Sequence, residues 1–326
     1  MTKFRSIAAV FLIAFACMVA VAPTTVFASK VPDEVYLGGY PVSIEMLSDG
    51  PIVRSVTENY AVNGEIKAGD VIKSINGHAV SSRSDITRIM NDGVTVPLSI
   101  SVMRADNAVT VELMPEKDVC SDKLKLGFQC KDGLTGLGTV TCATADGRFY
   151  ALGHPISDSD STSRFVCRAG YTYLCDVSGI QRPAGGKPGR IIGRSVGRKV
   201  WGEIEENSDY GLRGRIANTD GMTKIKTMPR GEVKPGKAQI VTTIRSEPVF
   251  YDIEIVKASY QPSPSEKGMV IKVTDETLLK NTGGILQGMS GSPILQNGKL
   301  AGALTHVFTN DATRGYGVYT DWLIGA

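Results

Sequence analysis

A serine held between glycines and two histidines set in strand-like text are the groups here that could do covalent chemistry. Ser290 stands in Gly288-Met289-Ser290-Gly291-Ser292-Pro293, within LQGMSGSPILQNGKLAGALTHVF. A serine hydroxyl becomes a nucleophile when a neighbouring base takes its proton. Histidine, titrating near neutrality, is the usual base. The chain has three histidines, His78, His154 and His306. His78 follows Asn76-Gly77, a hairpin-turn pair, and is expected at the surface. His154, in ALGHPISDSD, ends an apolar run and opens a loop, a common place to display a catalytic group. It is the candidate base. The glycines beside Ser290 allow a cramped turn that aims the N–H groups of Gly288 and Ser290 at one point, an oxyanion hole. Ser292 reads as a turn residue. His306, sixteen residues after Ser290, reads either as a wall of the substrate pocket or as a buried structural histidine.

The elements that must position these residues are short strands. From about Leu124 the text alternates strand and turn (GLTGLGTVTCAT, RFYALGHPI, AQIVTTI, VFYDIEIVKASY, KGMVIKVTD, GYGVYTDWL) with few helical periods. Such spacing predicts a β-barrel or sandwich assembly. His154 precedes Ser290 by 136 residues. That order and distance match the two-barrel chymotrypsin-like architecture, in which each barrel donates part of a Ser-His-acid triad. A carboxylate between the barrels would then be Asp209, in ENSDYGL. Asp158 and Asp160 lie too close to His154 in sequence. The basic, glycine-rich GGKPGRIIGRSVGRK reads as a solvated loop.

Val35 to Glu112 has a smaller rhythm. Its strands are PIVRSV, DVIKSING, VPLSISVMR and AVTVELM, and SSRSDITRIMND places Ile86, Ile89 and Met90 at helical spacing. The phrase IKAGDVIKSINGHAV resembles a PDZ domain of the bacterial type. That resemblance implies strand addition of a partner's C-terminus, its carboxylate held by backbone N–H groups. The loop expected to hold it is Gly38, Gly39, Tyr40, Pro41, Val42 and Ser43, with Ser43 where the family usually has glycine. The boundaries expected are 1–28 for an export signal or anchor, 35–112 for the PDZ domain and 113–326 for the peptidase-like domain.

Bulk properties agree with an exported globular protein. The chain has 326 residues, 42% hydrophobic and 21% charged, enough for about two domains. A net charge of +3 without a dense basic block argues against a nucleic-acid partner. Lys3 and Arg5 precede the apolar run Ile7–Ala22, and Val26 and Ala28 fit a signal-peptidase site. The five cysteines beyond it (Cys120, Cys130, Cys142, Cys167 and Cys175) form no C-x-x-C pair. No metal or other cofactor is expected. Disulfides are permitted outside the cytoplasm and not demanded in a chain of this size.

ALGHPISDSD, VTTI with FYDIEI, and the run from GGILQGMSGSP to GYGVYTDWL together resemble the SpoIVB peptidase family of endospore-forming Firmicutes. The resemblance implies a mostly β chain, an N-terminal PDZ domain followed by a chymotrypsin-like double barrel. It implies an exported serine endopeptidase in the intermembrane space around the forespore, membrane-tethered before processing. There it would cleave a regulator of a membrane-embedded metalloprotease, leading to activation of a late sigma factor, and cleave itself near its N-terminus. Its partners would be a protein substrate at a membrane, a second copy of itself, and peptide termini through the PDZ domain. The resemblance carries the triad acid onto Asp275, in KVTDETLL. The rival reading is a non-catalytic PDZ adaptor on a degenerate protease barrel. A housekeeping quality-control protease would place protease first and PDZ after.

Overall fold

The structure, a computed structural model, describes residues 31–325 apart from 58–65, 105–106, 119, 122, 158–164, 166, 186 and 198. The apolar run Ile7–Ala22, Asp158 and Asp160 lie outside the described residues.

In chain order, β1 (Glu34–Leu37) and β2 (Pro41–Val56) come first. They are followed by β3 (Val71–Ile75), β4 (His78–Ala79), helix α1 (Arg83–Asn91), β5 (Leu98–Arg104) and β6 (Asn107–Leu113). The short β7 (Glu116–Lys117) and β8 (Leu124–Lys125) pair with each other. Next are β9 (Phe128–Ala143), β10 (Arg148–Ala151), β11 (Ala169–Gln181), β12 (Arg190–Ser195), β13 (Gly202–Ser208), β14 (Gly211–Ile216) and β15 (Lys224–Lys226). The last group is β16 (Gly236–Thr242), β17 (Val249–Ala258), β18 (Met269–Val273), helix α2 (Glu276–Thr282), β19 (Pro293–Gln296), β20 (Lys299–Phe308), β21 (Asp311–Tyr319) and helix α3 (Thr320–Gly325).

Two barrels result. The first closes in the order β9, β10, β14, β13, β11 and β2, with β2 returning to β9. The second closes as β16, β17, β18, β21, β20 and β19. Side chains alternate along each stave, as a strand requires. In β17, Ile253 and Ile255 are buried while Asp252 and Glu254 face water. The first interior is filled by Val42, Ile44, Val140, Phe149 and Leu212. The second is filled by Ile240, Ile253, Ile271, Ile294 and Leu304.

The PDZ-like unit has its own core of Ile72, Ile75, Ile86, Ile89, Ile100 and Val111. Helix α1 starts at a capping box, with Ser82 and Asp85 each bonding the other's backbone. The structure interleaves this unit with the first barrel. β2 is one sixteen-residue strand. Its first half, Pro41–Leu47, pairs with Gly133–Thr139 of β9 and, on its other edge, with Ala169–Leu174 of β11. Its second half, Ile52–Val56, pairs with Phe128–Lys131 of β9 inside the PDZ-like unit. Both units therefore share β2 and β9, and strand pairing crosses the expected boundary at residue 112. Barrel closure fixes this, because a stave pairs with whatever strand completes the ring, however distant in sequence.

The loop expected to hold a peptide carboxylate is corrected by the same pairing. Gly38 N–H donates to Thr141 O and Gly39 N–H to Val140 O. Thr243 Oγ1 donates to Gly39 O. Pro41, Val42 and Ser43 are barrel staves. Gly38, Gly39, Tyr40, Pro41, Val42 and Ser43 thus lie against the two barrels, with the N–H groups of both glycines already committed, and they form no carboxylate cradle.

Candidate active site

The candidate nucleophile and base come from different barrels. Ser290 follows the loop after α2 in the second barrel. His154 follows β10 in the first. Leu152 and Gly153 both take positive φ, 70° and 71°. A non-glycine residue there is strained, and such strain gathers at functional sites. The two residues swing the chain out of β10 toward β20. His154 then packs on His306, with ring centroids 4.5 Å apart and planes 31° apart. His154, Ser290, Thr305 and His306 line one cleft of about 450 Å³.

The nucleophile loop is gripped by β9. Thr139 Oγ1 donates to Gly288 O at 2.8 Å, and Thr141 Oγ1 to Gly291 O at 2.7 Å. Thr139 N–H also donates to Ser290 O at 2.8 Å. Gly291 has φ 93°, and a Cβ there would stand 2.0 Å from Thr139 O, so only glycine fits. The N–H groups of Gln287, Met289, Gly291 and Ser292 all find carbonyl acceptors. Those of Gly288 and Ser290 donate to none of the described residues. This leaves the two donors of the expected oxyanion hole available for a ligand. Ser292 is buried; its N–H and C=O bond within the turn and to Leu304, and its Oγ has no partner among the described residues.

Proton positions follow from the acceptors. His154 Nδ1 lies 2.9 Å from Pro155 O. A carbonyl only accepts, so Nδ1 carries the proton and Nε2 keeps its lone pair, the tautomer a general base needs. Burial pushes His154 below the ordinary histidine range, opposed by the Pro155 hydrogen bond and reinforced by His306, while the charge of Glu266 pulls upward. His306 is likewise lowered by burial, with Glu266 raising it and Lys267 lowering it. Both rings are therefore neutral near pH 7. Ser290 Oγ donates to Thr305 O at 2.7 Å. Attack requires that proton to swing from Thr305 to His154.

The expected acid is not brought to the histidine. Asp275 caps α2: its Oδ1 accepts from Leu278 N–H at 2.8 Å, and its Oδ2 lies 3.4 Å from Asp252 N. Its carboxylate is occupied by backbone donors. Asp209 is exposed in the turn between β13 and β14. Neither lines the cleft. The Pro155 carbonyl holds Nδ1–H instead, and Glu266 is the acid whose charge reaches both rings. His78 is exposed on β4.

Sequence reasoning missed three contributors. Thr139 and Thr141 were legible as polar residues two apart in a buried strand. Glu266, in PSPSEKG, gave no signal. The glycine-rich segment expected as a solvated loop is in part β12, and it clamps the nucleophile loop. Gln287 N–H donates to Gly189 O, and Ile191 N–H donates to Gln287 O. Ile191 itself is buried with the second core.

The SpoIVB peptidase S55 family profile matches residues 122–324. The chain belongs to this family. This S55 peptidase also carries a match to a PDZ domain over residues 37–114. It is a serine peptidase with a mostly β fold. Among curated proteins nothing matches. Among solved structures, the active form of the Rv3671c protease from M. tuberculosis is similar at 12% identity, over 59% of this chain and 72% of that one, with a TM-score of 0.37. An HtrA-type protease, AlgW with a decapeptide, is similar at 9% identity, over 88% of this chain and 61% of that one, with a TM-score of 0.37.

Proposed function

We propose that this S55 peptidase is an exported endopeptidase of sporulation signalling. It cuts a regulator of a membrane-embedded protease in the space around the forespore, and it cuts itself near its N-terminus. Ser290 attacks the scissile carbonyl and His154 Nε2 takes its proton. The N–H groups of Gly288 and Ser290 hold the oxyanion, and His154 then returns the proton to the leaving amine. The observation that carries the reading is the meeting of Ser290 and His154, from separate barrels, in one cleft beside two uncommitted N–H donors. The apolar Ile7–Ala22 run behind Lys3 and Arg5 supports export and early tethering.

The test incubates purified full-length wild-type and Ser290→Ala proteins, with mass spectrometry of the products and a fluorophosphonate label. Wild type is expected to label at Ser290 and to shed its N-terminal segment, and Ser290→Ala to do neither. Processing that persists in Ser290→Ala would refute the assignment. A peptide of the regulator cut by wild type alone would support the signalling role.

A further inference from the structure

The strand that grips the nucleophile is the same strand that completes the PDZ-like unit. Phe128 and Cys130 of β9 pack on the core that holds Ile86 and Ile89 of α1. Arg83, at the start of α1, donates its backbone N–H and its Nε to the Asp132 carboxylate at 2.6 and 3.1 Å. Helix α1 therefore lies along the N-terminal half of β9. In a PDZ groove a peptide adds between a helix and a strand edge, antiparallel to the strand, with its C-terminus at the loop before that strand. Here that loop is Leu126-Gly127-Phe128. Gly127 takes φ 70°, and Leu126 and Phe128 lie against the apolar core.

Among the described residues, one edge of β9 carries no paired strand over this length. β1 and β2 occupy its inner edge, and on the outer edge β10 pairs only from Val140 onward. Among the described residues, no strand covers the outer edge from Phe128 to Gly138. Thr139 N–H points outward, to Ser290 O. By the alternation of an antiparallel ladder, the N–H and C=O of Leu137, Thr135 and Gly133 point the same way. Thr135 and Gly136 are exposed. The cleft that holds Ser290 and a second one of about 820 Å³, reaching Arg83 and Gln129, share Ile156 and Ser157 as walls. The two are neighbours along β9, the first reaching Gly136 and Leu137 and the second Gln129 to Thr135.

We infer that the open edge of β9 is a single docking strand joining the PDZ groove to the catalytic cleft, and that the substrate is a polypeptide whose free C-terminus lies about ten residues beyond the bond cut. This rests on the serine peptidase reading. The polarity agrees at both ends: a peptide antiparallel to β9 runs from the catalytic cleft toward Phe128, so its C-terminal side meets the PDZ groove. From Phe128 to Leu137 the strand covers roughly 30 Å at about 3.4 Å per residue. The PDZ end would take an apolar terminal side chain against Leu126, Phe128 and Ile89, and the peptide backbone would bond β9 between the ends. Anchoring the tail raises the local concentration of the scissile segment at Ser290, an effect that reaches about 10²–10⁴ in linked systems.

The test digests a library of proteome-derived peptides with the full chain and maps, by mass spectrometry, the distance from each cut to the peptide's C-terminus. Cuts are expected to concentrate about ten residues from a free C-terminus, at least about tenfold above other distances, and to lose that peak when the library is C-terminally amidated. Thr135→Pro removes an outward N–H and should lower the peak about fivefold, whereas Thr135→Val keeps the N–H and should preserve it. Cuts scattered at all distances, or a peak indifferent to amidation, would overturn this inference and leave the peptidase reading standing. A library left uncut would overturn both.

Discussion

Thr139→Val is the perturbation that separates the grip on the nucleophile loop from general stability. Valine keeps the shape and β preference of threonine and deletes the hydroxyl that donates to Gly288 O at 2.8 Å. Thr139 is 1% exposed, so no water replaces the lost donor. An unsatisfied buried carbonyl costs about 1–3 kcal/mol. Taking about 2 kcal/mol, Tm should fall by about 4–8 °C. The peptide can escape that cost by rotating, but rotation carries the Gly288 N–H away from the oxyanion position. Losing one such donor costs about 10²–10³ in kcat. The control is Thr141→Val, which deletes an equivalent bond to Gly291 O. The Gly291 N–H already donates to Leu304 O and takes no part in the hole. Scanning calorimetry with steady-state kinetics on a cleaved peptide should therefore show similar Tm losses for the two variants and a kcat loss at least about tenfold larger for Thr139→Val. Equal kcat losses, or a Thr139→Val enzyme with lowered Tm and full kcat, would refute the reasoning.

The depressed His154 titration predicts an acid limb of kcat/KM below pH 6.5, since the base stays neutral below the ordinary value. His306→Ala removes both a repulsive neighbour and some burial, so that limb should move up in pH. Glu266→Gln removes an attractive charge, so it should move down; a shift of either variant the other way contradicts the assigned causes. The stability that His154 and His306 gain by staying neutral is complete above pH 6.5, the unfolded value, and drains as pH falls from there toward the folded values. Asp275→Ala should cost about 1 kcal/mol through loss of the α2 cap, and Asp275→Asn should restore both Tm and activity because asparagine caps as well. An Asn variant as inactive as the Ala variant would return Asp275 to the triad.

Much of the site was legible because it is local. The strand alternation, the glycine-bracketed Ser290 and the strand-end His154 each need only a few neighbouring residues to be read. What escaped depends on pairing across long separations. GGYPVS carries the local features of a PDZ loop, yet Pro41–Leu47 pairs with residues 133–139, and barrel closure claims its backbone. GKPGRIIGRS looks soluble by composition, yet its Gly189 and Ile191 bond Gln287 on a segment about a hundred residues away. Asp275 is a different case. An acidic residue directly before ETLL is an N-cap signature, and the family resemblance that carries the triad acid onto Asp275 does not register that local role.

The orphaned polar atoms suggest where the site departs from maximal stability. Among the described residues, six buried side-chain polar atoms lack a partner; two belong to residues lining this cleft, Thr305 Oγ1 and His306 Nδ1, and a third, Ser292 Oγ, is two residues from Ser290. Thr305 is the most telling, because its carbonyl holds the Ser290 proton and its neighbour His306 packs on His154. A buried hydroxyl without a partner costs about 1–3 kcal/mol and is retained where function uses it. Thr305→Val should therefore raise Tm by a few degrees, since the methyl replaces an unsatisfied oxygen of the same size. It should also lower kcat with little change in KM if the hydroxyl gains its partner only when Ser290 releases the Thr305 carbonyl and His154 accepts the proton. A more stable Thr305→Val enzyme with unchanged kcat would show that the hydroxyl is idle throughout the cycle.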